Sequence, residues 1–156
     1  MTNKLEITPP VLGTQWRREN IGRLLNNTVS RFESRVINIL AESGHTETRI
    51  THVNLTRNLD LEGTRLTELA RRANITKQSM AQLVSQLETM GMVEKLPDPS
   101  DGRARIIVFT PKGLTWLESF RDAVYQAEQE MRNQIGMKDY QVLKRCLSMY
   151  SKDFVV

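Results

Sequence analysis

One cysteine, Cys146, stands in a chain of 156 residues, so neither an internal disulfide nor a cysteine-cluster zinc site can be built from it. The two histidines, His45 and His52, leave little material for imidazole chemistry or a metal centre. No apolar run approaches the roughly 20 residues that span a bilayer. Residues 1–13 carry charges and two prolines where a secretion signal needs an apolar core. A cytoplasmic chain with no membrane partner is therefore expected. Internal repeats and low-complexity tracts are absent. So are a Gly-rich phosphate loop and a nucleophile with a base at a recognisable spacing. Accordingly the sequence offers no catalytic residue, no metal ligand and no cofactor site, and the expectation is a protein that is not an enzyme.

What is present is an ordinary globular composition, 39% hydrophobic and 26% charged. The 22 basic and 18 acidic residues leave a net charge of +4. The excess is local. Residues 64–112 carry eight basic and five acidic groups, whereas residues 113–156 carry six of each. A basic middle favours a polyanion partner, although the bias is modest.

Hydrophobic periodicity organises the chain. Pro9 and Pro10 exclude helix from an extended arm over residues 1–13. A long helix is expected from about Thr14, because Ile21, Leu24, Leu25, Thr28, Phe32, Val36, Ile39 and Leu40 recur at three- and four-residue spacing, with Gly44 as its stop. A short helix follows over residues 47–58. Residues 64–73 read as another, with Leu66, Leu69, Ala70 and Ala73 inward. Asn74 tolerates the left-handed turn conformation, and Thr76 then caps a helix that runs to about Met90 and stops at Gly91. A helix-turn-helix is thus written between Leu66 and Gly91.

Two strand-like runs come next, over residues 93–96 and 105–109, joined by a loop at residues 97–102. A hairpin directly after a helix-turn-helix is a winged helix. Pro111 then opens a long helix marked by Leu114, Leu117, Phe120, Val124, Met131 and Ile135. A last helix carries Leu143, Cys146, Leu147 and Tyr150 on one side, where Cys146 is expected to pack. The expected architecture is mainly α: a winged helix-turn-helix over residues 46–113, with a small β-hairpin wing. Dimerisation helices flank it over residues 14–45 and 114–156.

The second helix of the helix-turn-helix has two chemically distinct sides. Met80, Leu83, Val84 and Leu87 form the anchoring stripe. Lys77, Gln78, Ala81, Gln82, Ser85 and Thr89, with Gln86 nearby, make an opposite face without an acid. Glutamine can pair bidentately with adenine, and the N-terminal part of such a helix is the part that meets bases. On the wing, Arg103 and Arg105 sit at and beyond a tip made flexible by Gly102, where an arginine can enter a minor groove. Asp101 is placed to hydrogen-bond the Arg103 guanidinium and orient it.

Leu69-Ala70, Ile75 to Met80, Leu83-Val84, Leu87-Glu88, Gly91-Met92-Val93, Asp101-Gly102-Arg103 and Phe109 to Gly113 together resemble the MarR family of bacterial transcription regulators. The resemblance is closest over residues 64–113, and its most specific element is the aspartate-x-arginine wing. It implies a homodimer that binds a pseudo-palindromic operator in double-stranded DNA, most often as a repressor. Each recognition helix would lie in a major groove and each wing in the adjacent minor groove, with half-sites about 10 bp apart. Thr76, Lys77, Gln78, Ser79, Gln82, Ser85 and Gln86 then fall on the recognition helix. Asp101, Gly102, Arg103 and Arg105 fall on the wing, and Lys95 is a phosphate contact at a position where arginine is common in the family. Peroxide-sensing members carry a cysteine near the start of the first helix, and this chain has none there. The resemblance also implies a small-molecule effector between the dimer helices and the winged domain. Chain order brings Trp16, Arg17, Arg49 and His52 to that region, and an arginine there suits an aromatic acid. The alternative is a winged-helix protein-interaction module without specific DNA binding, consistent with the modest charge and with Asp98 and Asp101 on the wing.

Overall fold

The computed structural model describes residues 13–152, so the arm expected over residues 1–13 lies, apart from Gly13, outside the described residues. The long N-terminal helix is two helices, α1 (Trp16–Glu19) and α2 (Ile21–Glu42). Asn20 separates them. Its extended backbone ends α1, its side-chain oxygen accepts from Arg23 N–H at 3.0 Å, and its amide donates to the Trp16 carbonyl at 2.7 Å. An Asn that caps forward and backward overrides a continuous apolar stripe. Residues 21–31 of α2 include no buried residue, whereas Val36, Ile39 and Leu40 enter the core. Gly44, at φ +95°, closes α2: its N–H bonds Ala41 O and the N–H of His45 bonds Leu40 O.

α3 (Ile50–Asn58) starts later than expected, because residues 45–49 form a turn. Thr64–Arg65, expected to open a helix, instead form β1, and only Leu66–Arg72 is helical, as α4. A two-residue strand carries no periodicity, which is why sequence reading passed over it. Asn74 takes φ 51°, with Asn74 N–H on Arg71 O and Ile75 N–H on Ala70 O, so it fills the place glycine takes at the end of α2. α5 (Lys77–Thr89) follows, buried through Met80, Val84 and Leu87.

The wing is longer than the expected runs: β2 (Val93–Asp98) and β3 (Asp101–Phe109) pair antiparallel, and the loop shrinks to Pro99–Ser100. The sheet order is β1-β3-β2, which makes β2 an edge strand able to hold Pro97. Ile107, on the central strand, faces both Thr64 and Lys95 in register and is fully buried.

Thr110 caps α6 (Pro111–Ile135), accepting from Gly113 N–H at 3.0 Å with Pro111 in the first turn. The buried residues of α6 are Gly113, Trp116, Ala123 and Ala127, one step round from the expected stripe, whose ends Leu114 and Ile135 are exposed. Trp116 is the largest fully buried side chain. Its indole N–H donates to Thr48 Oγ1 at 3.0 Å, and its ring stacks on Phe120 with centroids 5.4 Å apart. That bond ties α6 to the turn before α3. α7 (Met137–Ser151) has no buried residue, and Cys146 lies exposed on it rather than packed. One core joins α2, α3, α4, α5, the sheet and α6.

Candidate nucleic-acid interface

α5 is presented by its caps and its core stripe. Thr76 Oγ1 accepts from Ser79 N–H at 3.1 Å and donates to Ser79 Oγ at 2.9 Å, and the first turn holds no acid. The N-terminal end of the helix therefore keeps its partial positive charge. Gln78, Ala81, Gln82, Ser85 and Gln86 line one shallow groove along the exposed side. Among the described residues, the side chains of Lys77, Gln78 and Gln82 make no hydrogen bond or ion pair, so their donors and acceptors are available.

Other expected contacts are already engaged. Ser85 Oγ donates to Ala81 O at 3.0 Å and accepts from Lys95 Nζ at 3.3 Å. Lys95 also pairs with Glu88 at 2.7 Å, which holds β2 against α5 and neutralises the nearest acid to the recognition face. Glu68, on α4, is similarly covered. Hydrogen bonds from Arg71 and Arg72 hold its carboxyl at about 2, well below the usual carboxylate range. Gln86 meets His52, whose Nε2 lies 3.1 Å from Gln86 Oε1.

The wing tip differs from expectation at Asp101. Its carboxylate accepts from the backbone N–H of Arg103 at 3.0 Å instead of from the guanidinium. Asp101 thus fixes the tip backbone, and the Arg103 guanidinium has no partner among the described residues. Arg105 is less free, since Nη1 donates to Gly102 O at 3.1 Å and Ala104 O at 3.0 Å.

Sequence reading missed the brace behind the tip. Asp98 is 5% exposed. Its Oδ1 accepts from Ser100 N–H at 2.8 Å and Ser100 Oγ at 2.7 Å, and its Oδ2 from Arg65 Nε at 2.6 Å. The Ser100 bonds and then Arg65 pull the Asp98 carboxyl down to about 2. Arg65 extends to Ser100 Oγ at 2.9 Å, so β1 grips both sides of the turn. Asp-x-Ser is a legible turn signal, but its arginine partner comes from 33 residues away.

The four expected effector residues line two separate depressions of the single chain. Arg49 and His52 line an open cleft of about 530 Å³ with Thr46, Glu47, Gln86 and Thr89. Trp16 and Arg17 line a different surface depression beside Asn20 and Arg23.

Residues 54–104, from α3 through the helix-turn-helix to the wing, match the MarR family model. No curated protein sequence matches the chain. Among solved structures, apo MarR from E. coli superposes with a TM-score of 0.72 at 19% identity, covering 83% of this chain and 96% of that one. CouR of Rhodococcus jostii RHA1, a transcriptional repressor bound to a 23-mer DNA duplex, gives 0.69 at 20% identity, over 91% and 99%. BpsR of Bordetella bronchiseptica, whose DNA binding is regulated by 6-hydroxynicotinic acid, gives 0.67 at 19% identity, over 88% and 96%. Among the described residues no helix is long and apolar enough to cross a membrane. The helix-turn-helix and wing thus match the MarR family model, and the fold around them is similar to that of solved MarR-family regulators.

Proposed function

We propose that the chain is a sequence-specific, DNA-binding transcriptional regulator that acts as a homodimer on a pseudo-palindromic operator, as a repressor that a small acid releases. The observation that carries the reading is the pairing of two unengaged polar elements. Lys77, Gln78 and Gln82 on the acid-free side of α5 and Arg103 at the wing tip are left unpaired while the neighbouring acids Glu68, Glu88 and Asp98 are bonded to arginine or lysine. Such an arrangement suits base edges in a major groove and negative potential in a minor groove. The unpaired side chains argue against the protein-interaction alternative, since the wing acids Asp98 and Asp101 are spent within the wing.

A second copy of the chain is the partner that suits the remaining surface. Trp16, Ile21, Val29, Tyr125, Met149 and Tyr150 are each more than half exposed on helices outside the winged domain. A cleft of about 470 Å³ between α2 and the α6–α7 arm is lined by Phe32, Met131, Ile135 and Leu143. Exposed apolar side chains of this kind are covered at dimer interfaces. For the effector, Arg49, which lines the cleft beside α5, offers a carboxylate its counter-charge.

Selection from random duplexes at two salt concentrations, with sequencing, tests the reading. A two-fold motif with half-sites about one turn apart is expected. Affinity should fall steeply with salt. Weak, sequence-blind binding at both salts would overturn it.

A further inference from the structure

His52 is 3% exposed and sits at the third position of α3, where a glutamate or glutamine commonly reaches back to the cap residue. It does the same with its ring: the backbone N–H of Arg49 points at Nδ1 from 3.3 Å. A backbone N–H can only donate, so Nδ1 carries no proton and the ring proton is on Nε2. Nε2 lies 3.1 Å from Gln86 Oε1 and must therefore donate to it. The geometry fixes the Gln86 carboxamide, with its oxygen held on the buried ring. Its NH₂ group makes no hydrogen bond among the described residues. Gln86 lines both the Arg49 cleft and the groove of the recognition face.

We propose that His52 is a positioning residue for DNA reading, one that fixes the Gln86 amide and biases it toward donating. This rests on the DNA-binding function proposed above. A bidentate pair with adenine needs the amide oxygen and the amide NH₂ at the same base edge. Gln78 and Gln82 have both groups unengaged and free to turn, whereas the Gln86 oxygen is tethered to the buried ring, which fixes the orientation of its amide and leaves only the NH₂ wholly unengaged. Gln86 is therefore directed to acceptors: guanine O6 or N7, thymine O4, or a phosphate oxygen. Three glutamines on one face thus divide into two whose amides can turn to fit adenine and one whose amide is held by His52. The selector is a buried residue on another helix.

Two arms test this on the full-length protein. In the first, ¹⁵N-histidine NMR should find His52 protonated at Nε2 and bare at Nδ1, with exchange of the ring proton accelerated by Gln86→Ala. A ring protonated at Nδ1, or unchanged exchange in Q86A, overturns the proposal. In the second, random duplexes are selected with wild type, His52→Leu and His52→Gln. Glutamine at position 52 keeps an acceptor for Arg49 and a donor for Gln86, so H52Q should recover the wild-type motif. H52L releases the Gln86 oxygen and should enrich adenine at the base pair facing residue 86. Identical motifs from wild type and H52L overturn the proposal. Should H52L fail to fold, Gln86→Glu decides the second arm. It still accepts from His52 but loses its outward donors, so operator affinity should drop about tenfold or more, and unchanged affinity refutes the donor role. A wild type that enriches no motif refutes DNA reading itself, while the NMR arm still decides how Gln86 is held.

Discussion

Arg103→Ala separates function from folding in a single substitution. The guanidinium has no partner among the described residues, so truncating it removes no interaction from the fold. The melting curve should shift by no more than a surface change does, about 0.5 kcal/mol. On DNA the same side chain is expected to supply about 1–3 kcal/mol per wing. In the proposed dimer two wings act on separate half-sites and their contributions should add, giving roughly 2–6 kcal/mol and at least about a thirtyfold loss of operator affinity. Fluorescence anisotropy across a salt series divides this loss. A phosphate contact lowers the salt slope by about 0.9 per arginine, while a base-edge contact leaves most of the slope in place. Arg103→Lys keeps the charge without the planar fork and should fall between the two. Arg105→Ala is the contrast, because Arg105 also bonds Gly102 and Ala104 carbonyls and its loss should reduce affinity and stability together. Wild-type operator affinity in R103A at both low and high salt would refute the wing assignment.

Further predictions concern the frame that holds these residues. Trp116→Phe leaves Thr48 Oγ1, in a residue 5% exposed, without its donor and should cost about 1–3 kcal/mol in chemical denaturation. Adding Thr48→Val should recover part of that loss, and strictly additive losses would show that the bond is not what couples them. A Cβ at Gly113 would lie 1.9 Å from Met92 O, so Gly113→Ala should destabilise. Helix propensity alone predicts a gain of about 1 kcal/mol, and a measured gain would contradict the contact. Asp98 has its carboxyl lowered from 3.8 to about 2 in the folded protein, so its contribution is complete above about pH 4 and is lost as pH falls toward 2. Thermal melts of Asp98→Asn should show a flatter stability profile than wild type over that window, and an unchanged slope would remove Asp98 as a source of acid sensitivity.

Much of the winged helix was legible because its signals are local. Asn74 and Gly44 end helices through backbone conformation, Thr76 and Thr110 cap through their own hydroxyls, and the Met80–Leu87 stripe has one period. What escaped was set by partners distant in sequence. Thr64–Arg65 become strand only because β3 offers an edge. Ser85 and Gln86 looked free on a helical wheel and Lys95 free on its strand, yet Lys95 bonds Ser85 and Glu88, and His52 engages Gln86. The core side of α6 is marked by alanines and one tryptophan, and a search for large aliphatics lands beside it. Asp101 was placed next to Arg103 but bonds its backbone, since the carboxylate accepts from the N–H two residues on. The expected effector set divides for a related reason. Chain order grouped Trp16 and Arg17 with Arg49 and His52, and the fold sets the two pairs in separate depressions.

A footprint of the purified protein on its selected operator tests the central claim most directly. Two recognition helices on one face of the duplex predict two protected major-groove segments about one turn, roughly 10 bp, apart. Minor-groove protection should flank them and vanish in R103A while the major-groove protection persists. Uniform protection independent of sequence, or flanking protection unchanged in R103A, would contradict a dimer that reads DNA through α5 and the Arg103 wing.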